Sequence, residues 1–213
     1  MENTLQVGDR VLVNKLVYHF RGIARGDVIV FSGQDSWGPD APPPSSDPVV
    51  RVFDDVLSGF GLRNDQTYYI KRVIGLPGDH VACCDTQGLV TVNGVPLDEG
   101  SYLYPGNPPS AVKFNEVVPP GYLWVMGDHR SDSDDSRYHP EDPDGGAIPE
   151  NQVVGRAFLI IWPPSQIRDL PIPSTFQQAS LHAGAAGAAG VIGAPLLLLH
   201  RRRARSRPRR NDR

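Results

Sequence analysis

The sequence predicts an all-β fold built from packed antiparallel sheets. The first observation is the high content of turn formers, since 22 of the 213 residues are Gly and 21 are Pro, which disfavours long helices. The second is a series of short runs rich in β-branched and aromatic residues, each followed or preceded by a Gly or Pro turn. The third is the absence of a repeat of fixed period, so that one domain with appendages accounts for the length.

The predicted strands follow one another along the chain. The first comes almost at once, because the Gly8-Asp9 turn leads directly into the apolar run 11–13. Asn93-Gly94 separates two apolar runs and suits a type I′ turn, so residues 89–97 are predicted to form a β-hairpin. Further strands are predicted at 27–31, 68–74, 122–126 and 153–162.

Three stretches depart from this pattern and are interpreted as appendages. Residues 38–48 are Pro-rich and predict a loop or insertion, whereas residues 163–178 predict a polar linker. Residues 179–199 contain no Lys, Arg, Asp or Glu and have the roughly 20 residues needed to cross a bilayer. A transmembrane helix is favoured because three arginines, 201–203, follow at once; the alternative is a flexible Ala/Gly linker.

The charges are distributed unevenly along the chain. Residues 201–213 hold eight Arg and one Asp, so the remainder has 13 basic and 23 acidic residues, a net charge of −10. A basic tail beside an apolar stretch is suited to anionic lipid head groups. Nucleic acid is the weaker interpretation, because no aromatic residues accompany the arginines to stack on bases.

Lys71 is a candidate catalytic residue within the predicted strand 68–74. It shares a face of the strand with Tyr69 and Val73, and desolvation among such neighbours lowers the pKa of an amine. A lysine that acts as a base near neutral pH needs its pKa lowered from about 10.4 to roughly 7–8. The alternative is an edge lysine whose stem covers apolar surface.

The loop GDHRSDSDDSR, residues 127–137, is a second candidate site. Its carboxylates could ligate calcium, but it lacks the Gly and Glu positions of an EF-hand loop. It could also be a solvated acidic loop. A third interpretation is a hydrogen-bonded support for a nearby cation, in which Ser133 meets an amine and Asp135 pairs with Arg137 or Arg72.

Four motifs follow one another along the chain: GDRVLVNK (8–15), KRVIGLPGD (71–79), VTVNGVPL (90–97) and GDHRSDSDDSR (127–137). In this order they resemble the motifs of bacterial type I signal peptidases, most closely the actinomycete ones. The resemblance covers the chain from Met1 to about Trp162, and its last motif departs from the usual form G-D-N-R-x-x-S-x-D-S-R at His129.

The resemblance implies a membrane-bound serine endopeptidase with a Ser/Lys dyad on an all-β fold. Such enzymes cleave signal peptides from exported preproteins after small-x-small residues. By carry-over, Lys71 is the general base and Ser133 orients it by hydrogen bonding. The residues expected to support the site through ion pairs are Arg72, Asp135 and Arg137.

The resemblance also implies partners and a location. The backbone of Tyr68, Tyr69 and Ile70 would bind the extended signal peptide as an added strand. Membrane lipid is the other expected partner, and no nucleic acid, metal or other cofactor is expected. The catalytic domain, 1–162, would lie on the extracytoplasmic side of the plasma membrane, and the tail, 200–213, in the cytoplasm.

The beginning of the chain bears on the nucleophile. In the resembled family the nucleophile lies in a motif of the form S-M-x-x-T-L, which residues 1–5, MENTL, match from the Met onward. The nucleophilic Ser is therefore expected immediately before Met1, and the chain as written, which lacks it, is expected not to cleave. The alternatives are a non-cleaving, membrane-tethered paralogue that binds signal peptides, and an acidic extracytoplasmic β-domain without a peptide site.

The two cysteines, Cys83 and Cys84, are adjacent. Neighbouring residues of a strand point to opposite faces, so the sequence favours two separate, half-buried thiols over a disulfide.

Overall fold

Strands dominate the computed structural model, which describes residues 1–33, 37, 68–142, 144–178 and 180–181. Within these residues the helices are short: α1 spans Val17–Phe20, and the others are single 3₁₀ turns. In chain order the strands are β1 (Arg10–Asn14), β2 (Val28–Ser32), β3 (Tyr68–Gly75), β4 (His80–Cys83), β5 (Val90–Val92), β6 (Val95–Pro96), β7 (Phe114–Val117), β8 (Tyr122–Met126), β9 (Ile148–Pro149), β10 (Val153–Trp162) and β11 (Arg168–Asp169).

These strands form two antiparallel sheets, which confirms the predicted fold class. Among the described residues the larger sheet has the order β1-β10-β2-β3-β8-β9, with β11 paired to β10. The smaller sheet has the order β6-β5-β4-β7. The chain leaves the larger sheet after β3 and returns to it at β8, so the strand that carries Lys71 lies beside the strand that precedes the loop 127–137.

The predicted hairpin lies in the smaller sheet. Asn93 and Gly94 have φ values of 53° and 76°, and positive values at both central positions define the type I′ turn that the sequence predicts. β5 and β6 flank this turn and pair through Val92 and Val95.

Apolar residues from both sheets share one core. Ile74 and Met126 of the larger sheet are fully buried with Val81 and Val90 of the smaller one. Burial of such side chains stabilises the fold by roughly 1.5–3 kcal/mol each. The two sheets are thereby held together next to the β3–β8 pair.

The stretch predicted as a linker packs into two buried clusters, with Phe176 in the core shared by the two sheets and Leu170 in the cluster that contains Leu5 and Ile160. Leu170 is 4% exposed and Phe176 is 3% exposed, and the stretch also contains β11. Leu181 is fully buried in the same core as Phe176. Residues 163–178 therefore contribute to the packed domain as well as leading away from it.

Three other predicted segments lie wholly or mostly in parts of the chain that the structure does not describe. The Pro-rich insertion, 38–48, the greater part of the predicted membrane span, 179–199, and the tail, 200–213, lie outside the described residues. None of the helices in the described part of the chain has both the length and the apolar character needed to cross a bilayer.

The interpretation of the cysteines as separate thiols is wrong for this structure. Cys83 and Cys84 are bonded to each other. Strand alternation did not apply to the pair, because β4 ends at Cys83 and Cys84 lies beyond it.

Candidate active site

Lys71 lies at the start of the buried half of β3. The strand is half-buried from Tyr68 to Ile70 and buried from Lys71 onward. The Lys71 amine donates a hydrogen bond to Ser133 Oγ at 2.9 Å, and both residues are 9% exposed. The structure thus brings together the two residues that the sequence selects as base and orienter.

The surroundings of Lys71 favour the neutral amine. Burial lowers the pKa of Lys71, and the negative charges of Asp135 and Asp134 oppose this effect. A lysine whose pKa is lowered presents a free amine, which can accept a proton, at a lower pH than an exposed lysine.

Ser133 reaches Lys71 because the loop passes close to Gly127. Ser133 follows a 3₁₀ turn, Arg130–Asp132, and has extended backbone angles of φ −145° and ψ 111°. A Cβ at position 127 would overlap Ser133 Oγ and lie 2.7 Å from Ser133 Cβ. Glycine at 127 is therefore a steric requirement of the Lys71–Ser133 contact.

Asp135 and Arg137 fix the loop from within. Arg137 Nε and Nη2 donate to the two carboxylate oxygens of Asp135 at 2.7 and 2.8 Å. Asp135 Oδ2 also accepts from the Gly127 backbone N–H at 2.9 Å, and Arg137 donates to the Arg130 carbonyl. Of the two pairings that the sequence left open for Asp135, the structure shows the one with Arg137.

Arg72 has a different partner, which the sequence analysis missed. Its guanidinium forms a bidentate pair with Asp128, with Nε–Oδ1 at 2.9 Å and Nη2–Oδ2 at 2.7 Å. Thr4 Oγ1 donates to the same carboxylate, and Arg72 Nη1 donates to the Gly26 carbonyl at 2.9 Å. The only sequence signal for Asp128 was its place in the motif 127–137.

A second buried pair was also missed. Arg130 donates to Glu99 through Nη1 at 3.0 Å and Nη2 at 2.5 Å, and both side chains are 1% exposed. The Tyr102 hydroxyl donates to Glu99 Oε1 at 2.5 Å. This pair anchors the turn that precedes Ser133 to the segment after the β5–β6 hairpin.

The Met1 amino group interacts electrostatically with the Lys71 amine. Burial and, after it, the positive charge of Lys71 lower the pKa of the Met1 amino group. The Met1 carbonyl closes a turn by accepting from Thr4 and Leu5 N–H at 3.1 and 2.9 Å. Met1 also packs against the buried cluster that contains Leu5 and Ile160.

The predicted peptide-binding residues, 68–70, directly precede Lys71 in β3. Residues 68–70 pair with β2 on one side, with Tyr69 opposite Phe31 and Ile70 opposite Val30. On the other side, β8 pairs with β3 through Arg72, Val73 and Gly75, beyond residues 68–70. Within the part of the chain that the structure describes, no group of three or more His, Cys, Asp or Glu residues is placed to hold a metal ion.

Comparison with known proteins gives a family match. Residues 1–162 match the family described as "Signal peptidase, peptidase S26". A probable signal peptidase I of Mycobacterium leprae (strain TN) is 39% identical over 194 residues, with 78% of this chain and 66% of that protein covered. Signal peptidase I of Mycobacterium tuberculosis (strain ATCC 25618 / H37Rv) is 43% identical over 187 residues, with 78% and 63% covered.

A cyanobacterial relative extends the similarity. Signal peptidase I of Leptolyngbya laminosa is 33% identical over 173 residues, and the match covers 81% of this chain and 70% of that protein. The chain spans less than two thirds of the mycobacterial relatives, at 66% and 63% of their lengths.

Proposed function

Because the chain belongs to the signal peptidase family, peptidase S26, we propose that it is the catalytic part of a signal peptidase I. In this proposal it is a serine endopeptidase that removes signal peptides from exported preproteins with a Ser/Lys dyad. The single observation that carries the proposal is the buried Lys71 amine, hydrogen-bonded to Ser133 at 2.9 Å. A structural lysine would need neither a lowered pKa nor that position.

The nucleophile of the proposed reaction is a Ser immediately before Met1 in the native protein. Residues 1–5 fit the motif that follows such a Ser, and the turn closed by the Met1 carbonyl would present the preceding residue to Lys71. Neutral Lys71 would take the Ser hydroxyl proton as the oxygen attacks the scissile carbonyl. The tetrahedral intermediate would collapse to an ester as the C–N bond breaks and the Lys71 ammonium returns its proton to the departing amine of the mature protein. Water, deprotonated by the neutral Lys71, would then hydrolyse the ester, which releases the signal peptide as a carboxylic acid and restores the Ser hydroxyl.

Ser133 and the ion pairs would keep the base in place. Ser133 Oγ, 2.9 Å from the Lys71 amine, would point the amine at the nucleophile. The pair of Arg137 and Asp135 would hold the Ser133 loop, whereas Arg72 would join β3 to Asp128. In the proposed reaction none of these supporting groups transfers a proton.

The signal peptide would bind as an extended strand beside Tyr68, Tyr69 and Ile70. This segment leads directly into Lys71 and precedes the residues through which β3 pairs with β8. Backbone hydrogen bonds in this mode give affinity largely independent of sequence, so that one site can accept many preproteins.

Membrane attachment completes the proposal. Residues 179–199 would form a transmembrane helix, with the basic tail in the cytoplasm and the catalytic domain, 1–162, outside, according to the distribution of arginines. The described domain also exposes apolar side chains along its β1–β10 edge, and Trp is favoured at the membrane interface. The exposed fractions are 41% for Leu12, 39% for Ile161, 51% for Trp162 and 58% for Ile167.

The test begins with the native protein, purified from membranes of the source organism and mapped at its N-terminus by mass spectrometry. A peptide that reads Ser-Met-Glu-Asn-Thr-Leu, with cleavage of a preprotein that carries an Ala-x-Ala site, is the expected result.

Lys71→Ala in that protein should lower kcat by about 10²–10⁴-fold, the contribution of a general base. Lys113→Ala is the matched control, because Lys113 is exposed and lies directly before β7 of the smaller sheet. Full activity of the Lys71 variant would refute the assignment, and a native chain that begins at Met1 and does not cleave would favour the peptide-binding paralogue.

A further inference from the structure

The stretch of chain that follows the family match contacts the first residues of the protein. The match ends at residue 162, yet residues 168 and 169 return to the larger sheet as β11. There Arg168 pairs with Ile160 and Asp169 with Leu159 of β10. The return places an arginine against the first residues of the chain.

Arg168 contacts the backbone of residues 3 and 4. Its Nη2 donates to the Thr4 carbonyl at 2.8 Å and to the Asn3 carbonyl at 3.4 Å. Its Nη1 donates to Gln166 Oε1 at 2.7 Å, which fixes the direction of the guanidinium. A planar, permanently charged donor of this kind can hold two carbonyl groups at once, which a lysine ammonium does less well.

The segment that Arg168 contacts has an uncommon backbone conformation. Asn3 has a φ of 79°, in the left-handed region that only a few per cent of non-glycine residues occupy. Its side-chain amide donates to the Leu103 and Tyr102 carbonyls at 2.9 and 3.2 Å. Conformations of this kind are unfavourable and persist where surrounding contacts determine them.

Two other contacts hold the neighbouring side chains of this segment. Thr4 Oγ1 donates to Asp128, and Glu2 Oε2 lies 3.0 Å from His129 Nδ1. Both partners belong to the loop 127–137. Arg168 differs from them because it acts on the backbone and comes from beyond the matched residues.

We propose that Arg168 is a positioning residue, which fixes the turn 1–5 and thereby the nucleophile expected before Met1. The inference rests on the proposed function for its catalytic consequence. The Met1 carbonyl accepts from Thr4 and Leu5 N–H, so displacement of Thr4 moves residue 1 relative to Lys71. A misplacement of about 1 Å in a reacting group can lower a rate by about 100-fold.

We expect a substitution at position 168 to leave the fold intact. Arg168 lines a cavity of about 640 Å³ together with Arg72, Tyr102 and Leu170. The guanidinium therefore lies at the wall of an open space, and a shorter polar side chain there does not leave a closed void in the core.

The test compares Arg168→Gln, Arg168→Lys and a control, Arg156→Gln, in the native membrane protein. Arg156 suits as the control because it donates to the Leu170 carbonyl at 2.9 Å and pairs with Asp27, so it supports the same C-terminal stretch without a contact to residues 1–5. With a preprotein that carries an Ala-x-Ala site, Arg168→Gln should lower kcat by about 10- to 100-fold with KM nearly unchanged. Arg168→Lys should recover part of the loss, and Arg156→Gln should keep kcat.

Hydrogen exchange makes the test independent of cleavage. Exchange at the Thr4 and Leu5 amides, which close the turn, should accelerate in Arg168→Gln and stay unchanged in Arg156→Gln. Unchanged kcat in Arg168→Gln, or unchanged exchange at both amides, would overturn the inference. If the unaltered protein cleaves no preprotein, the proposed function fails, and faster exchange confined to Arg168→Gln would still support the role of Arg168 in holding the turn.

Discussion

Arg72 and Asp128 form a bidentate ion pair between positions 56 residues apart, and their side chains are 3% and 0% exposed. Arg72 is the neighbour of Lys71 in β3, and Asp128 stands five residues before Ser133. The pair therefore ties the strand of the proposed base to the loop of its hydrogen-bonding partner. Charge-assisted, bidentate hydrogen bonds are about twice as strong as neutral ones, and they also fix orientation.

We expect Asp128→Asn to destabilise the domain by about 3–5 kcal/mol, because it leaves the Arg72 guanidinium buried without a counter-charge. Chemical denaturation of the variant and of the unaltered protein measures the difference. Asp98→Asn is the control, since Asp98 is exposed and a surface change stays within about 0.5 kcal/mol. Equal effects of the two substitutions would show that the buried pair contributes no special stability.

The pH profile of cleavage should report on Lys71. Because burial lowers its pKa, kcat/KM should rise with pH and reach its plateau below the range in which an ordinary lysine, of pKa 10.5, titrates. Ser133→Ala should lower the rate and move the rising limb toward lower pH, because the Ser133 oxygen accepts from the charged amine and stabilises it. Ser131→Ala is the control, since Ser131 is exposed and contacts Asn107. If the rate of Ser133→Ala rises over the same pH range as that of the unaltered protein, the orienting role of Ser133 would be contradicted.

Lys71→Met should be more stable than the unaltered protein at neutral pH, although it should be inactive. The pKa of Lys71 is lower in the folded protein than the ordinary 10.5, so between these two pKa values the folded state binds fewer protons than the unfolded state. The cost of burying the amine is therefore present at neutral pH and disappears as pH rises past about 10.5. Thermal unfolding at neutral pH and at about pH 10 should show a gain in Tm that shrinks with pH. A variant that melts at or below the temperature of the unaltered protein at neutral pH would contradict this account.

Gly127→Ala should lower kcat by up to about 100-fold by displacing Ser133. The added methyl group would lie 2.7 Å from Ser133 Cβ, which is closer than real Cβ contacts allow. Cleavage kinetics measure the effect, and Gly22→Ala is the control because a Cβ at Gly22 meets nothing within 4 Å. Normal activity in Gly127→Ala would mean that Ser133 can shift without consequence for Lys71.

The sequence predicted the long, strongly patterned strands and left out the short ones. β-branched runs such as 153–162 mark β10 and the Asn93-Gly94 pair marks the hairpin, because both signals are local. β7 and β9 have weaker patterns, since Phe114–Val117 places two consecutive polar residues between its apolar ends and Ile148–Pro149 has only two residues. Their places depend on pairing with β4 and β8, which no local pattern encodes.

The sequence predicted the site residues that lie within family motifs, but not the contacts between residues that are far apart in the sequence. Lys71 and Ser133 could be paired through the motifs that contain them. The partnership of Arg72 with Asp128 could not be distinguished from the alternatives, because several carboxylates occur in the same loop. The interpretation of residues 163–178 as a linker rested on polar and Pro-rich composition, within which Leu170 and Phe176 suffice to anchor the stretch.

The pairing of β1 with β10 joins Arg10 to Trp162 and Asn14 to Arg156, so the two ends of the segment 1–162 pair with each other at one edge of the larger sheet. Contacts between such distant residues form late, since the entropy of closing the intervening loop opposes them. A chain that emerges from its N-terminus during synthesis or export therefore presents Lys71 and Ser133 before β10 has arrived to complete the sheet. The site is therefore assembled only after nearly the whole domain has emerged.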